Sequence, residues 1–168
     1  MPVQVLPAAE AASLPAVRQM LLQASHDREL CDATYLPYGL ESADVERWAS
    51  DHRAAWVVLD NEVPVGWWEV QPLKDSCGFA LPPGTWEREV WLLPEARGRR
   101  LIQQATELLL PGLISRGVTH LAGIAWSDNS SSIQGMRNAG FEILGQGWWG
   151  EPPNGGWCVV GLLSIGSD

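Results

Sequence analysis

Within the 168-residue sequence, the segment Val90-Trp91-Leu92-Leu93-Pro94-Glu95-Ala96-Arg97-Gly98-Arg99-Arg100-Leu101-Ile102 has the residue types and spacing for anion binding. An apolar, strand-like run stops at a proline and passes through a basic, glycine-containing turn into a long amphipathic helix. Such a turn collects unpaired backbone N–H groups and the positive end of a helix dipole at one point. A phosphate group fits there. The arginines add charge-assisted bonds, and their forked donors suit phosphate oxygens. The same residues also read as a solvated basic helix start.

Two other groups carry polar chemistry. Glu87 and Glu89 lie two residues apart on the strand that leads to the turn, so alternation puts both on one face. A carboxylate there can take a proton from an alkyl ammonium, directly or through water, or can serve as a solvated partner for Arg88 or Arg99. Asn129, in Ser127-Asp128-Asn129-Ser130-Ser131-Ser132, can cap a helix or face a ligand. The serines lack a Gly-x-Ser-x-Gly elbow and read as helix-start residues. His26, His52 and His120 have no carboxylate at a suggestive spacing. Cys31, Cys77 and Cys158 are widely separated, without zinc-ligand spacing, and read as reduced thiols; no metal is expected.

The pair Pro-x-x-Arg-Gly before one helix and Asn-x-x-Ser-(x)7-Gly-Phe after the next strand, here Pro94 to Gly98 and Asn129 to Phe141, resembles the two central motifs of the GNAT acyltransferase superfamily. The resemblance covers nearly the whole chain, from Val3 to Leu163. It implies acetyl-CoA as co-substrate and transfer of its acetyl group to a primary amine of a small molecule or peptide in a ternary complex. It also implies that Arg97, Gly98, Arg99, Arg100 and Leu101 hold the coenzyme pyrophosphate. Leu92 and Leu93 would pair with the pantetheine arm, and Asn129 and Ser132 would lie near the pantetheine and thioester. Glu87 or Glu89 would be the base.

Two positions depart from the family pattern. Arg100 and Ile102 stand where small residues are expected, and glycine is what lets backbone approach a ligand closely. Met136 stands where many members have a tyrosine that protonates the departing thiolate. Tyr35, Tyr38, Ser132 or water would then serve, or the chain is a non-catalytic acyl-CoA-binding or regulatory domain of the same fold.

The elements that must position these residues follow from periodicity and turn chemistry. A strand over Pro2–Leu6 leads to a helix over Leu14–Ala24, with Pro15 in its first turn, and Asp27–Leu40 reads as a loop. A helix spans Ser42–Ser50. Strands Ala54–Leu59 and Val63–Gln71 form a hairpin around Asp60-Asn61-Glu62, and a Pro/Gly-rich loop over 72–84 delivers the strand Trp86–Leu93. A helix over about Gly98–Ser115, kinked at Pro111, precedes the strand His120–Trp126. A helix to Asn138, a glycine stop at Gly140 and strands Phe141–Trp149 and Trp157–Ile165 complete the chain. The expectation is one α/β domain over 1–168, a mixed, mostly antiparallel sheet of about seven strands flanked by about four helices, in the order β-α-α-β-β-β-α-β-α-β-β.

A composition of 46% hydrophobic and 18% charged residues is globular. The net charge of −9 disfavours nucleic acid and anionic lipid as partners and favours a cationic acceptor. No apolar run approaches a membrane span, and the start lacks a basic secretory n-region, so a cytoplasmic setting is expected. The ten tryptophans include the neighbours Trp67-Trp68 and Trp148-Trp149, which cannot both face one core from a strand. One of each pair must sit in a cleft, under a helix or at a subunit contact. Together with the apolar strand Val159–Leu163 they suggest a homodimer.

Overall fold

The computed structural model describes residues 2–52 and 54–166. Seven strands form one mixed sheet in the order β1-β2-β3-β4-β5-β7-β6. The strands are β1 Val3–Pro7, β2 Ala55–Asp60, β3 Val63–Pro72, β4 Thr85–Leu92, β5 His120–Trp126, β6 Glu142–Trp149 and β7 Gly156–Ser164. The helices are α1 Ala8–Ala11, α2 Pro15–Ser25, α3 Arg28–Ala33, α4 Ser42–Ser50, α5 Leu101–Ser115 and α6 Ser130–Asn138. The chain forms two compact units: one holds the residues up to Val70 with Glu89–Leu109, the other Gln71–Arg88 with the residues from Leu110 onward.

The four expected long or capped helices are present, and two short ones are added. Asp27–Leu40, read from sequence as a loop, contains α3. Asp27 caps it, its Oδ1 accepting from the Leu30 N–H at 3.1 Å. The long helix begins at Leu101 rather than Gly98, because the chain from Pro94 to Ala96 makes a separate 3-10 turn and the residues after it leave the helical region. α5 continues through Pro111.

In the first unit, β1 and β2 pair antiparallel, with Val3 opposite Asp60 and Pro7 opposite Trp56. β2 and β3 form the expected hairpin. Its two turn residues, Asn61 and Glu62, both hold positive φ, 51° and 68°, which matches the twist of the flanking strands. The core lies between this part of the sheet and the early helices: Val17, Met20 and Leu21 of α2 and Val45 and Ala49 of α4 pack with Val57, Trp67 and Trp91. Trp67 and Trp68 are both fully buried because they use both faces of β3. Trp67 joins that core, and Trp68 Nε1 donates to Thr106 Oγ1 of α5 at 2.9 Å, so the second indole sits under a helix.

In the second unit, β4 pairs parallel with β5 over Thr85, Trp86 and Glu87, opposite His120, Leu121 and Ala122. β7 pairs antiparallel with both β5 and β6. Cys77 and Cys158 are buried together with Val160, and all three cysteines are free thiols. Burial pushes the Cys77 thiol far above its usual range.

Two glycines mark the closest backbone approaches. A Cβ on Gly66 would meet the Trp91 carbonyl oxygen at 2.5 Å, whereas one on Gly123 would meet the flexible end of Met136, its Sδ, at 2.5 Å. Backbone cannot yield as a thioether can. Gly66→Ala is therefore expected to cost about 2–3 kcal/mol and Gly123→Ala about 1 kcal/mol or less. For a chain of this size that is a midpoint shift of roughly 2–4 °C per kcal/mol, measurable by thermal unfolding. Equal shifts for the two variants would contradict this reading of the two contacts.

Candidate functional site

The turn after β4 is built on unusual backbone. Gly98 and Arg100 hold φ of 80° and 57°. Arg100 thus adopts, with a side chain, the left-handed conformation that a glycine would take without penalty. Among the described residues, none of the backbone N–H groups from Gly98 to Gln103 has a protein partner; the first helical bond is donated by Gln104 to the Arg100 carbonyl at 3.1 Å. A run of free N–H groups with alternating backbone hand at a helix start forms an anion-binding concavity.

Side chains hold this turn in place. Arg99 bridges to Asp60 at the end of β2, and Arg97 Nε donates to the Leu92 carbonyl at 3.2 Å. Gln104 Nε2 donates to the carbonyls of Arg99 and Arg100 at 3.3 and 3.5 Å. Arg97, Gly98, Arg99 and Arg100 are exposed, while Leu101 is buried and anchors the helix start. Of the three arginines, two are braces of the loop. Arg100 is the one without a hydrogen-bond or ion-pair partner among the described residues.

At the strand end, Leu93 donates to the Val65 carbonyl at 2.8 Å. Leu93 and, by the two-residue repeat, Trp91 therefore direct their backbone groups to β3. Val90 and Leu92 direct theirs to the opposite edge. Sequence reading named Leu92 and Leu93 and passed over Val90. The edge assignment needs the register, which the sequence does not print.

Of the two carboxylates, Glu89 is half-buried and accepts from the Tyr35 backbone N–H just beyond α3. Glu87 is buried and accepts from Gln71 Nε2 at 3.3 Å. Neither is a solvated surface group. A third carboxylate, Glu69 on β3, escaped the sequence reading. It is buried, accepts from Trp67 Nε1 at 3.0 Å and lies 3.9 Å from His52 Nε2. Around it Trp48 and Trp67 rings are 5.1 Å apart, Trp48 and His52 4.4 Å, and Trp67 stacks parallel to Trp91 at 6.3 Å. The alternation of Trp67 and Glu69 on one face of β3 was the signal available for it. Among the described residues no group of three or more His, Cys, Asp or Glu is placed to hold a metal ion.

In the second unit, Asn129 is the N-cap of α6: its Oδ1 accepts from the Ser132 N–H at 3.1 Å. Ser132 itself is exposed on the first turn. Met136 is buried, and its Sδ fills the space above Gly123 and Gly161, beside Phe141. It is a core residue with no proton to give. Asn129→Ala is expected to lower stability by about 1 kcal/mol, and Asn129→Asp, which keeps the acceptor, to lower it little. Denaturant unfolding of the two variants measures the difference; equal losses would show that the cap bond contributes nothing.

The sequence matches the model of the acetyltransferase (GNAT) family over residues 21–141. A comparison with curated proteins finds no match. Several solved structures share the fold. A putative acetyltransferase, yncA, from Salmonella typhimurium with acetyl-CoA has a TM-score of 0.68 at 17% identity, covering 100% of this chain and 95% of that one. A phosphinothricin acetyltransferase from Sinorhizobium meliloti, in complex with acetyl-CoA, has a TM-score of 0.69 at 18% identity, covering 99% and 90%. RimL, a ribosomal L7/L12 alpha-N-protein acetyltransferase in complex with coenzyme A, has a TM-score of 0.76 at 14% identity, covering 100% and 97%. With the family model matching well over half of its length, the chain belongs to the GNAT acetyltransferase family.

Proposed function

We propose that the protein is an N-acetyltransferase that binds acetyl-CoA and acetylates a primary amine of a small molecule or peptide by direct attack. The observation that carries this reading is the turn from Gly98 to Gln103, where six consecutive backbone N–H groups lack partners among the described residues and three arginines stand close by. A diphosphate is the ligand that such a concavity accepts. Related structures with acetyl-CoA or coenzyme A bound support the same co-substrate. Val90 and Leu92 offer strand-edge backbone to which the amides of a pantetheine arm can bond as an added strand would.

The chemistry asks for a base, because an ammonium must lose a proton before its nitrogen attacks the thioester. Glu87 and Glu89 both lie on β4, and each already holds one N–H donor, which fixes its orientation. Glu87 is the preferred base, with Glu89 positioning the segment around Tyr35. A cationic acceptor accords with the net charge of −9. A homodimer belongs to the same proposal, supported by Trp157, which is 57% exposed and packs edge-on against Trp148 at 5.4 Å.

Incubation with acetyl-CoA and a panel of primary amines, followed by free-thiol detection, is expected to show amine-dependent thiol release. Acetyl-CoA binding without release for every amine would reduce the protein to an acyl-CoA-binding domain. With an active amine in hand, Glu87→Gln should lower the turnover number at least tenfold near neutral pH. The deficit should shrink as rising pH deprotonates the free amine. Glu89→Gln should chiefly raise the Michaelis constant. Parent turnover in both variants across the pH series would remove both residues from the mechanism.

A further inference from the structure

The second unit holds two thiols side by side. Cys158 lies on β7 and pairs across the ladder with Gly147 of β6. Its Sγ donates to the Gly147 carbonyl at 3.4 Å. Residues directly opposite in an antiparallel pair put their side chains on one face of the sheet, with Cβ atoms about 4.5–5.5 Å apart. Gly147 has no side chain to place there, and Cys77 fills the position. A Cβ on Gly147 would fall 2.8 Å from the Cys77 Cβ and 2.0 Å from its carbonyl oxygen. Cys77 and Cys158 are buried together with Val160, and their thiols lie within hydrogen-bonding reach of each other. A disulfide joins side chains that meet at this kind of range. Cys77 belongs to the 73–84 loop, outside the ladder, and holds a positive φ of 55°. Asp75 fastens the loop, its Oδ1 accepting from the Cys77 N–H at 2.7 Å and its Oδ2 from the Gly150 N–H at 2.8 Å. Cys31 offers the contrast: it is buried in the first unit, and its thiol faces the Ala24 and Ser25 carbonyls at 3.6 and 3.5 Å.

We propose that Cys77 and Cys158 form a redox site, which a small-molecule disulfide of the glutathione class converts to an internal disulfide that latches the 73–84 loop to β7. With the loop closed, burial raises both thiols and keeps them protonated, so they do not react. A surface loop opens locally at lower cost than a sheet does. On opening, Cys77 loses its proton to solvent and its thiolate attacks one sulfur of the small disulfide. That sulfur–sulfur bond breaks, one small thiolate leaves and takes up a proton, and a mixed disulfide remains on Cys77. As the loop recloses, Cys158 is deprotonated in its turn, attacks the Cys77 sulfur and expels the second small thiol. Two protein thiols are oxidised by two electrons, one small disulfide is reduced to two thiols, and the protons balance. The cross-link joins residues far apart in the chain and leaves the loop in its closed place, which is the arrangement in which a disulfide stabilises most.

The test incubates the full chain with reduced and oxidised glutathione at a series of ratios, alkylates it in denaturant and measures the intact mass. As the oxidised form rises, two of the three cysteines are expected to lose alkylation with no glutathione retained, and peptide mapping to join Cys77 to Cys158 while Cys31 stays alkylated. Cys77→Ser and Cys158→Ser should each abolish the cross-link, and Cys31→Ser should keep it. Urea below the unfolding midpoint should speed the reaction severalfold, because opening of the loop limits it. The oxidised chain should melt about 5–10 °C above the reduced one. Three alkylated thiols at every ratio, a glutathione adduct that never closes to the internal bond, or a cross-link that includes Cys31 would overturn the proposal. So would an oxidised form that melts at or below the reduced one, since the bond would then distort the loop rather than latch it. If a serine variant does not fold, the peptide map of the wild type still decides.

Discussion

The backbone conformation between Gly98 and Arg100 is the constraint on which the rest of the site depends. With both residues at positive φ, the chain turns its N–H groups outward before α5 closes its first bond. Holding a side-chain-bearing residue there costs on the order of 1–2 kcal/mol. That conformation persists because its surroundings specify it. The Arg99–Asp60 bridge ties the turn to the end of β2, Arg97 Nε ties it to the Leu92 carbonyl, and Gln104 ties it from the first turn of α5. The glycine that the family pattern favours at position 100 is thus replaced by bracing. The Arg100 side chain stays exposed, so the backbone keeps the shape that a phosphate site requires.

Charge is distributed in keeping with this. Of the 11 Lys and Arg residues in a chain of net charge −9, three fall within the four positions from Arg97 to Arg100. In the proposed function, a locally positive turn in a negative protein would offer a diphosphate its counter-charge, and the net negative charge would favour a cationic acceptor. The carboxylates follow the same logic. Glu69, Glu87 and Glu89 are buried or half-buried and each accepts an N–H, which keeps them oriented. Arg88 is half-buried over the Phe141 ring, and its Nε has no acceptor among the described residues.

Much of this was legible in the sequence because it rests on local rules. The helical repeat of Val17, Met20, Leu21 and Ala24, the Asp60-Asn61-Glu62 turn and the strand–turn–helix around Arg97-Gly98 each carry their own periodicity or turn chemistry, and each formed, the last with its helix starting at Leu101. The mixed character of the sheet was expected, whereas the spatial order of its strands, with β7 between β5 and β6, was not read from the sequence. What stayed hidden depends on contacts between residues far apart in the chain. α3 is six residues long with two buried side chains, too short to show a helical repeat. Glu69 reads as a polar interruption of an apolar strand until His52 and three indoles are brought around it. Arg99 reads as a phosphate ligand, and its ion pair with Asp60 does not show in the sequence. Asn129 satisfied the simpler of its two readings, the helix cap, and Met136 turned out to be core.

The most direct measurement of the central claim is amide hydrogen exchange and backbone chemical shift across the whole chain, with and without coenzyme A. If the free N–H groups receive the diphosphate, the largest new protection and the largest shifts fall on Gly98 to Gln103, and the effect is lost with a pantetheine fragment that carries no diphosphate. Saturating binding of coenzyme A that leaves those six amides exchanging at their unliganded rates would contradict it.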